Sequence, residues 1–160
     1  MSKYGDLFDK VAGDTRFNTD GGPSIMQRKA ELVWLLEIVR AQSEITTIVE
    51  FGSLFGGNLV AMSSVLEDQG AIISVEPEFE GKLRTDLVEE YLGGKYKFVH
   101  MKDTTDREDL WEYIDPADDK IMIMIDSIHT KDAVLHDFSV ATMILDYGGY
   151  IAIHDLVKSG

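Results

Sequence analysis

The chain contains no cysteine, which excludes disulfides, thiolate metal sites and a cysteine nucleophile and sets the expectation of a cytoplasmic protein. No apolar run approaches the roughly 20 residues of a membrane span. The N-terminal MSKYGDLFDK has no apolar stretch of signal-peptide type. Positive charge is scarce, with 15 Lys and Arg against 29 Asp and Glu and a net charge of −14. No Lys/Arg cluster offers a local basic patch, so neither nucleic acid nor a membrane is an expected partner, and the acidity reads as solubility. Internal repeats and low-complexity stretches are missing as well. What remains is 160 residues, 44% hydrophobic, with mean hydropathy near zero, enough for a single domain with a substantial core.

Within that length the sequence alternates. IMQRKAELVWLLEIVRAQ carries apolar residues at helical spacing behind Ser24, which reads as its N-cap. TTIVEF is a first strand, NLVAMSSVLEDQ a helix closed by Gly70, and AIISVE a second strand. A helix through GKLRTDLVEEYL, the strand YKFVHM and a short helix TDREDLWEYI follow. KIMIMID, the helix KDAVLHDFSVATMIL and the strand YIAIHD close the pattern. Near-continuous apolar strands separated by helices imply a parallel sheet covered on both faces. Right-handed crossovers reduce this to an α/β fold, a Rossmann-like doubly wound, mostly parallel sheet. Residues 1–23 are polar and glycine-containing and read as an arm or lid rather than core, leaving 24–160 as the core domain. Trp34 and Trp111 sit among apolar residues at helical spacing and read as core.

The most informative stretch is TTIVEFGSLFGG, residues 46–57. A β-branched run ends in Glu50, and a turn carrying Gly52, Gly56 and Gly57 follows at once. Strand, glycine turn and helix N-terminus make the usual opening of a nucleotide-type cofactor site, because the backbone can approach a ligand closely and free N–H groups face it. Glu50 suits a cofactor with a cationic part. The order G-x-x-x-G-G, with Ser53 where a dinucleotide fingerprint has its second glycine, argues against a nicotinamide cofactor. Glu76 ends the next apolar run, where a carboxylate can accept both hydroxyls of a ribose.

Ligands in such sheets sit beyond the carboxyl ends of the strands. Glu50, Glu76, Asp103, Asp126 with His129, and His154 with Asp155 all stand at those ends. Some of this gathering is expected of any sheet, since strand ends are where polar residues must reappear. Asp126, His154 and Asp155 form the sharpest group, two carboxylates and an imidazole that together suit a divalent cation. His129, three residues after Asp126, has the chemistry of a general base, with an unperturbed pKa of about 6.5. The structural alternative is an Asp capping the next helix and histidines used in packing.

E-F-G-S-L-F-G-G at 50–57 resembles the acid-x-G-x-x-x-G motif of class I S-adenosylmethionine (SAM) methyltransferases. The resemblance implies that Glu50, Gly52, Ser53, Gly56 and Gly57 pack on the methionine part of SAM. It also implies that Glu76 binds the ribose and that Asp103 and Thr104 lie near the adenine. I-D-S-I-H at 125–129 and G-G-Y-I-A-I-H-D at 148–155 look like matched motifs of metal-dependent O-methyltransferases, nearest to the cephalosporin hydroxylase-like and macrolide-sugar group. Carried over by position, Asp126, His154 and Asp155 become ligands of Mg or Mn, and His129 takes the proton of a substrate hydroxyl. His154 stands where that group has an acid, so the set has one negative charge fewer. G-G-P-S-I-M-Q at 21–27 resembles the G-x-P-I-x-Q stretch before that group's first core helix.

The implied activity is metal-assisted O-methylation of a small-molecule hydroxyl, on a sugar, a phenol or a natural product. The sixth and seventh strands of the family are not readable before Gly160. Strand five is then an apolar edge, which sets the expectation of a homodimer through it. The short C-terminus and His154 keep open a different reading, a non-catalytic or truncated SAM-fold binding module.

Overall fold

A computed structural model describes residues 3–18, 20–42, 44–76, 82–102, 107–115, 117, 119–128, 130–145 and 148–154. Five strands form one sheet in the order β3-β2-β1-β4-β5: β1 Ile45–Phe51, β2 Leu66–Val75, β3 Lys97–Met101, β4 Ile121–Ile125 and β5 Gly149–Ile153. Every pairing is parallel. The chain steps outward from β1 through β2 to β3, then returns to β4 on the other side of β1. That reversal opens a crevice beyond the carboxyl ends of β1 and β4, where doubly wound folds place their ligands.

Strand side chains alternate between two cores. Ile48, Ile72, Met122 and Met124 face a cluster built with α1 Lys3–Ala12, α2 Lys29–Gln42, α3 Gly57–Met62 and α4 Thr85–Leu92. Val49, Phe51, Ile73, Ile123 and Ile125 face Leu110 of α5 Arg107–Trp111 and Val140, Ala141 and Ile144 of α6 Lys131–Ile144. Every residue of β4 is buried, so its alternating Ile and Met supply both cores at about 1.5–3 kcal/mol per side chain. β5, at the edge, is only half-buried. No helix among the described residues is long and apolar enough to cross a membrane.

Four expectations need correction. Residues 1–23 do not stand apart from the core: Tyr4, Phe8 and Val11 of α1 and Phe17 beyond it are buried in the first cluster. Their i, i+4, i+7 spacing puts one apolar stripe on the helix. Ser24 is not an N-cap, because its hydroxyl donates to the Asp14 carbonyl at 2.7 Å and α2 begins only at Lys29. The helix after the glycine turn stops at Met62, and a single 3₁₀ turn, 63–65, leads straight into β2. Ser63 and Ser64 hydroxyls donate to the Val60 and Ala61 carbonyls at 2.7 Å each, a local competition that helices tolerate poorly. Trp34 is 64% exposed on α2 rather than core.

Thr130 caps α6 by accepting the Ala133 N–H at 3.4 Å. Thr130→Ala is expected to lower stability by about 0.5–1 kcal/mol, read from urea melts. An unchanged midpoint would show that the cap contributes nothing.

Candidate functional site

The glycine turn is built from close approaches that only glycine allows. Gly52 has φ +88, and a Cβ there would lie 2.3 Å from the Asp126 carbonyl oxygen. β1 and β4 can therefore end side by side, with the Asp126 N–H donating to the Phe51 carbonyl at 2.9 Å and the Gly52 N–H to that of Val75 at 2.9 Å. The Gly56 N–H closes the turn on the Ser53 carbonyl at 2.8 Å. Leu54, with φ +47, takes a left-handed conformation uncommon for a branched side chain. Gly57 lies under the segment before α2, where a Cβ would meet the Ser24 carbonyl oxygen at 2.2 Å.

Glu76 is buried at the end of β2, and its Oε2 accepts the Leu54 N–H at 2.9 Å. The second-strand acid thus holds the turn in its strained shape, a role the sequence did not indicate. Ser53 is buried too. Its hydroxyl accepts from Ser74 at 2.8 Å and donates to the Glu50 carbonyl at 3.4 Å, so the side chain braces the turn from inside.

Glu50 is 0% exposed. Its side chain points into the first core, and Oε1 accepts from Asn58 Nδ2 at the start of α3. Burial is the main force on its carboxyl, pushing it up to about 8; the Asn58 bond and the Ser53 hydroxyl oppose this, and Asp126 and Glu76 reinforce it through space. A buried carboxyl without a cationic partner resists ionisation.

Across the crevice, Asp126 Oδ1 lies 3.1 Å from His154 Nδ1, and Oδ2 accepts from Gln27 Nε2. Gln27 is 7% exposed and comes from the unwound stretch before α2. Ser127 donates to Asp137 of α6, which ties down the backbone just past Asp126. Burial holds the Asp137 carboxyl above its ordinary range.

The fold therefore gathers Glu50, Gly52, Ser53, Gly56, Gly57, Glu76, Asp126 and His154 at one edge of the sheet. Asp103, Thr104, His129 and Asp155 lie outside the described residues. Asp126 and His154 meet side by side. Their 3.1 Å separation is also what two neighbouring ligands of one cation with bonds of about 2.1 Å have. Among the described residues, no group of three or more His, Asp or Glu is placed to hold a metal ion. Gln27 and Asn58 are the members that sequence reasoning missed. Asn58 opens the helix after the turn, and Gln27 ends the G-G-P-S-I-M-Q stretch, yet neither has a sequence signal of its partner.

Solved structures similar in shape include methyltransferases. The O-methyltransferase TomG of Streptomyces achromogenes, involved in tomaymycin synthesis and solved with SAM, superposes with a TM-score of 0.62 at 15% identity, over 92% of this chain and 64% of that one. An O-methyltransferase of Bacillus cereus, solved with S-adenosylhomocysteine (SAH), gives 0.62 at 16% identity, over 87% of this chain and 61% of that one. The chain thus spans less than two thirds of either, and at these identities the likeness is one of fold. No curated protein matches it by sequence. A family model does: residues 49–156, from the glycine-turn strand through β5, match the methyltransferase domain over more than half of the chain, which therefore belongs to that family.

Proposed function

We propose that the chain binds SAM across the glycine turn and transfers its methyl group to the hydroxyl of a small-molecule acceptor. The observation that carries this reading is the turn itself, set in the crevice between β1 and β4 with Glu76 bonded to its backbone. In the transfer an O–CH3 bond forms as the sulfonium's S–CH3 bond breaks, SAH leaves as a neutral thioether, and the acceptor's proton passes to the protein. The protein's main contribution is positioning. By resemblance the proton goes to His129, three residues past Asp126.

A divalent cation belongs to the same proposal. Asp126 and His154 would hold it, with Asp155 supplied by the resemblance, and it would acidify the acceptor hydroxyl. That donor set of two carboxylates and one imidazole suits Mn²⁺ or another borderline ion as well as Mg²⁺. A second reading, a SAM-binding module without turnover, is favoured by His154 standing where the resembled group has an acid.

Calorimetry with SAM and SAH, with and without Mg²⁺ or Mn²⁺, tests both. The expected result is micromolar binding that Glu76→Ala weakens at least about tenfold, through loss of both the ribose contact and the Leu54 tether, worth roughly 1.4 kcal/mol or more. A metal effect removed by Asp126→Ala would support metal assistance. Failure of both cofactors to bind under every metal condition would end the methyltransferase reading.

A further inference from the structure

Among the described residues, the buried side-chain oxygens without a hydrogen-bond partner are Gln27 Oε1, Glu50 Oε2 and Asn58 Oδ1. All belong to the site, and all are acceptors. Asn58 Nδ2 is spent on Glu50 Oε1, so the Glu50–Asn58 pair keeps one oxygen on each side chain with no donor to meet it. An ionised carboxylate is acceptor-only, and burying one with an unmet oxygen is costly. A single proton on Glu50 Oε2 removes the charge and supplies the donor that this cluster lacks.

In the metal-free protein the charged groups acting on Glu50 point the same way. They are Asp126 at the end of β4 and Glu76 at the end of β2, both acids. His154 stands beyond Asp126, hydrogen-bonded to its Oδ1. From α3 comes the neutral Asn58, and from the turn the Ser53 hydroxyl, which donates to the Glu50 carbonyl; both act to hold the carboxyl down, and burial outweighs them. Burial and these acids together raise the Glu50 carboxyl to the range in which it titrates near neutral pH.

We propose that Glu50 is the residue that senses positive charge in the cofactor, holding a proton in the ligand-free protein and releasing it when a cation docks on the glycine turn. The proposal rests on the SAM reading. SAM carries an ammonium and a sulfonium, whereas SAH keeps only the ammonium. Across a poorly solvated crevice each cation favours the ionised carboxylate. SAM therefore expels more proton than SAH does. Methyl transfer reverses part of the change: the sulfonium becomes a neutral thioether as the acceptor hydroxyl loses its proton, and Glu50 regains part of its proton occupancy from solvent. Discrimination between charged donor and neutral product thus depends on pH through one buried side chain.

The test is calorimetric binding of SAM and of SAH to the full chain near pH 7, in phosphate and in Tris, whose ionisation enthalpies differ. It is run beside an infrared difference spectrum of the protonated-carboxyl C=O stretch. The expected result is proton release with SAM, less with SAH, and loss of the carboxylic-acid band on adding SAM. SAM affinity should rise about fivefold from pH 6 to 8, as one unit of carboxyl shift requires. Glu50→Gln, nearly the same shape and permanently neutral, should lose the band change and flatten the pH dependence. SAM binding with no proton release and no carboxyl band would overturn the inference alone, as would the same pH slope in Glu50→Gln as in the parent. Failure of both cofactors to bind, with and without metal, would overturn the SAM reading and the inference with it. The buffer and infrared comparison on the parent protein decides the matter even if the variant folds poorly.

Discussion

Glu50→Gln is expected to make the folded protein more stable, by an amount that grows as pH rises from about 5 to about 8. The Glu50 carboxyl moves from its ordinary 4.5 to about 8 in the folded state, chiefly through burial. Between those values the native protein holds a proton that the unfolded chain has already lost. Stability then falls with rising pH, at up to about 1.4 kcal/mol per pH unit for this one group. The contribution is fully present below the unfolded value and is lost as pH climbs through the folded one. Glutamine does not titrate and brings a donor NH2 to a cluster whose unmet atoms are acceptors. By pH 8 the variant should exceed the parent by on the order of 4 kcal/mol. Urea melts of both proteins at pH 5, 6.5 and 8 measure this, and subtracting one series from the other removes every other titrating group. A difference that does not change with pH would show that Glu50 ionises freely inside the fold.

Gly52→Ala is expected to cost the most of any single methyl added to this chain. Two penalties combine at that position. The residue has φ +88, a region that costs an L-residue about 1–2 kcal/mol. The new Cβ would also lie 2.3 Å from the Asp126 carbonyl oxygen and 2.6 Å from Ser127 Cα, both backbone atoms. Neither can step aside easily, because the Asp126 and Gly52 amides are bonded to Phe51 and Val75 at 2.9 Å each. The total should reach about 3 kcal/mol or more, with SAM affinity lost as the turn moves. Gly93→Ala separates the two penalties. It shares the left-handed backbone, at φ +60, but has nothing within 4 Å of a Cβ, so only about 1 kcal/mol is expected. If thermal melts rank the two variants equally, the close approach of β1 to β4 is not what demands glycine at 52.

The glycine turn and the strands around it were legible because their signals are local. A β-branched run ending in an acid and a glycine, KIMIMID with its strand-length apolar stretch, and helices closed by Gly93 or Gly148 express backbone preferences within a few residues. The alternation of such elements was enough to imply a parallel, doubly wound sheet, and hence which strand ends share one edge. α1 was readable too, from Tyr4, Phe8 and Val11, but its polar neighbours and the glycines after it masked that stripe. The helix–strand border at 63–69 depended on serine hydroxyls competing for backbone carbonyls. Helical periodicity does not register such competition.

Other features have no local signal at all. Gln27 reaches Asp126 across 99 positions of sequence, and only the unwinding of the stretch before α2 brings it there. Glu76 ties Leu54 across 22 positions, because parallel pairing sets β2 beside β1. Trp34 reads as core by spacing, and it is exposed because the neighbouring face of α2 meets the sheet. The amino acids and their order determined the glycine turn, the elements and the class of fold, since each follows from conformational preference and hydrophobic period. Tertiary structure alone decided that Glu50 lies wholly out of water beside two acids and an amide. Burial and proximity belong to the packed whole, and they give this carboxyl its unusual proton affinity.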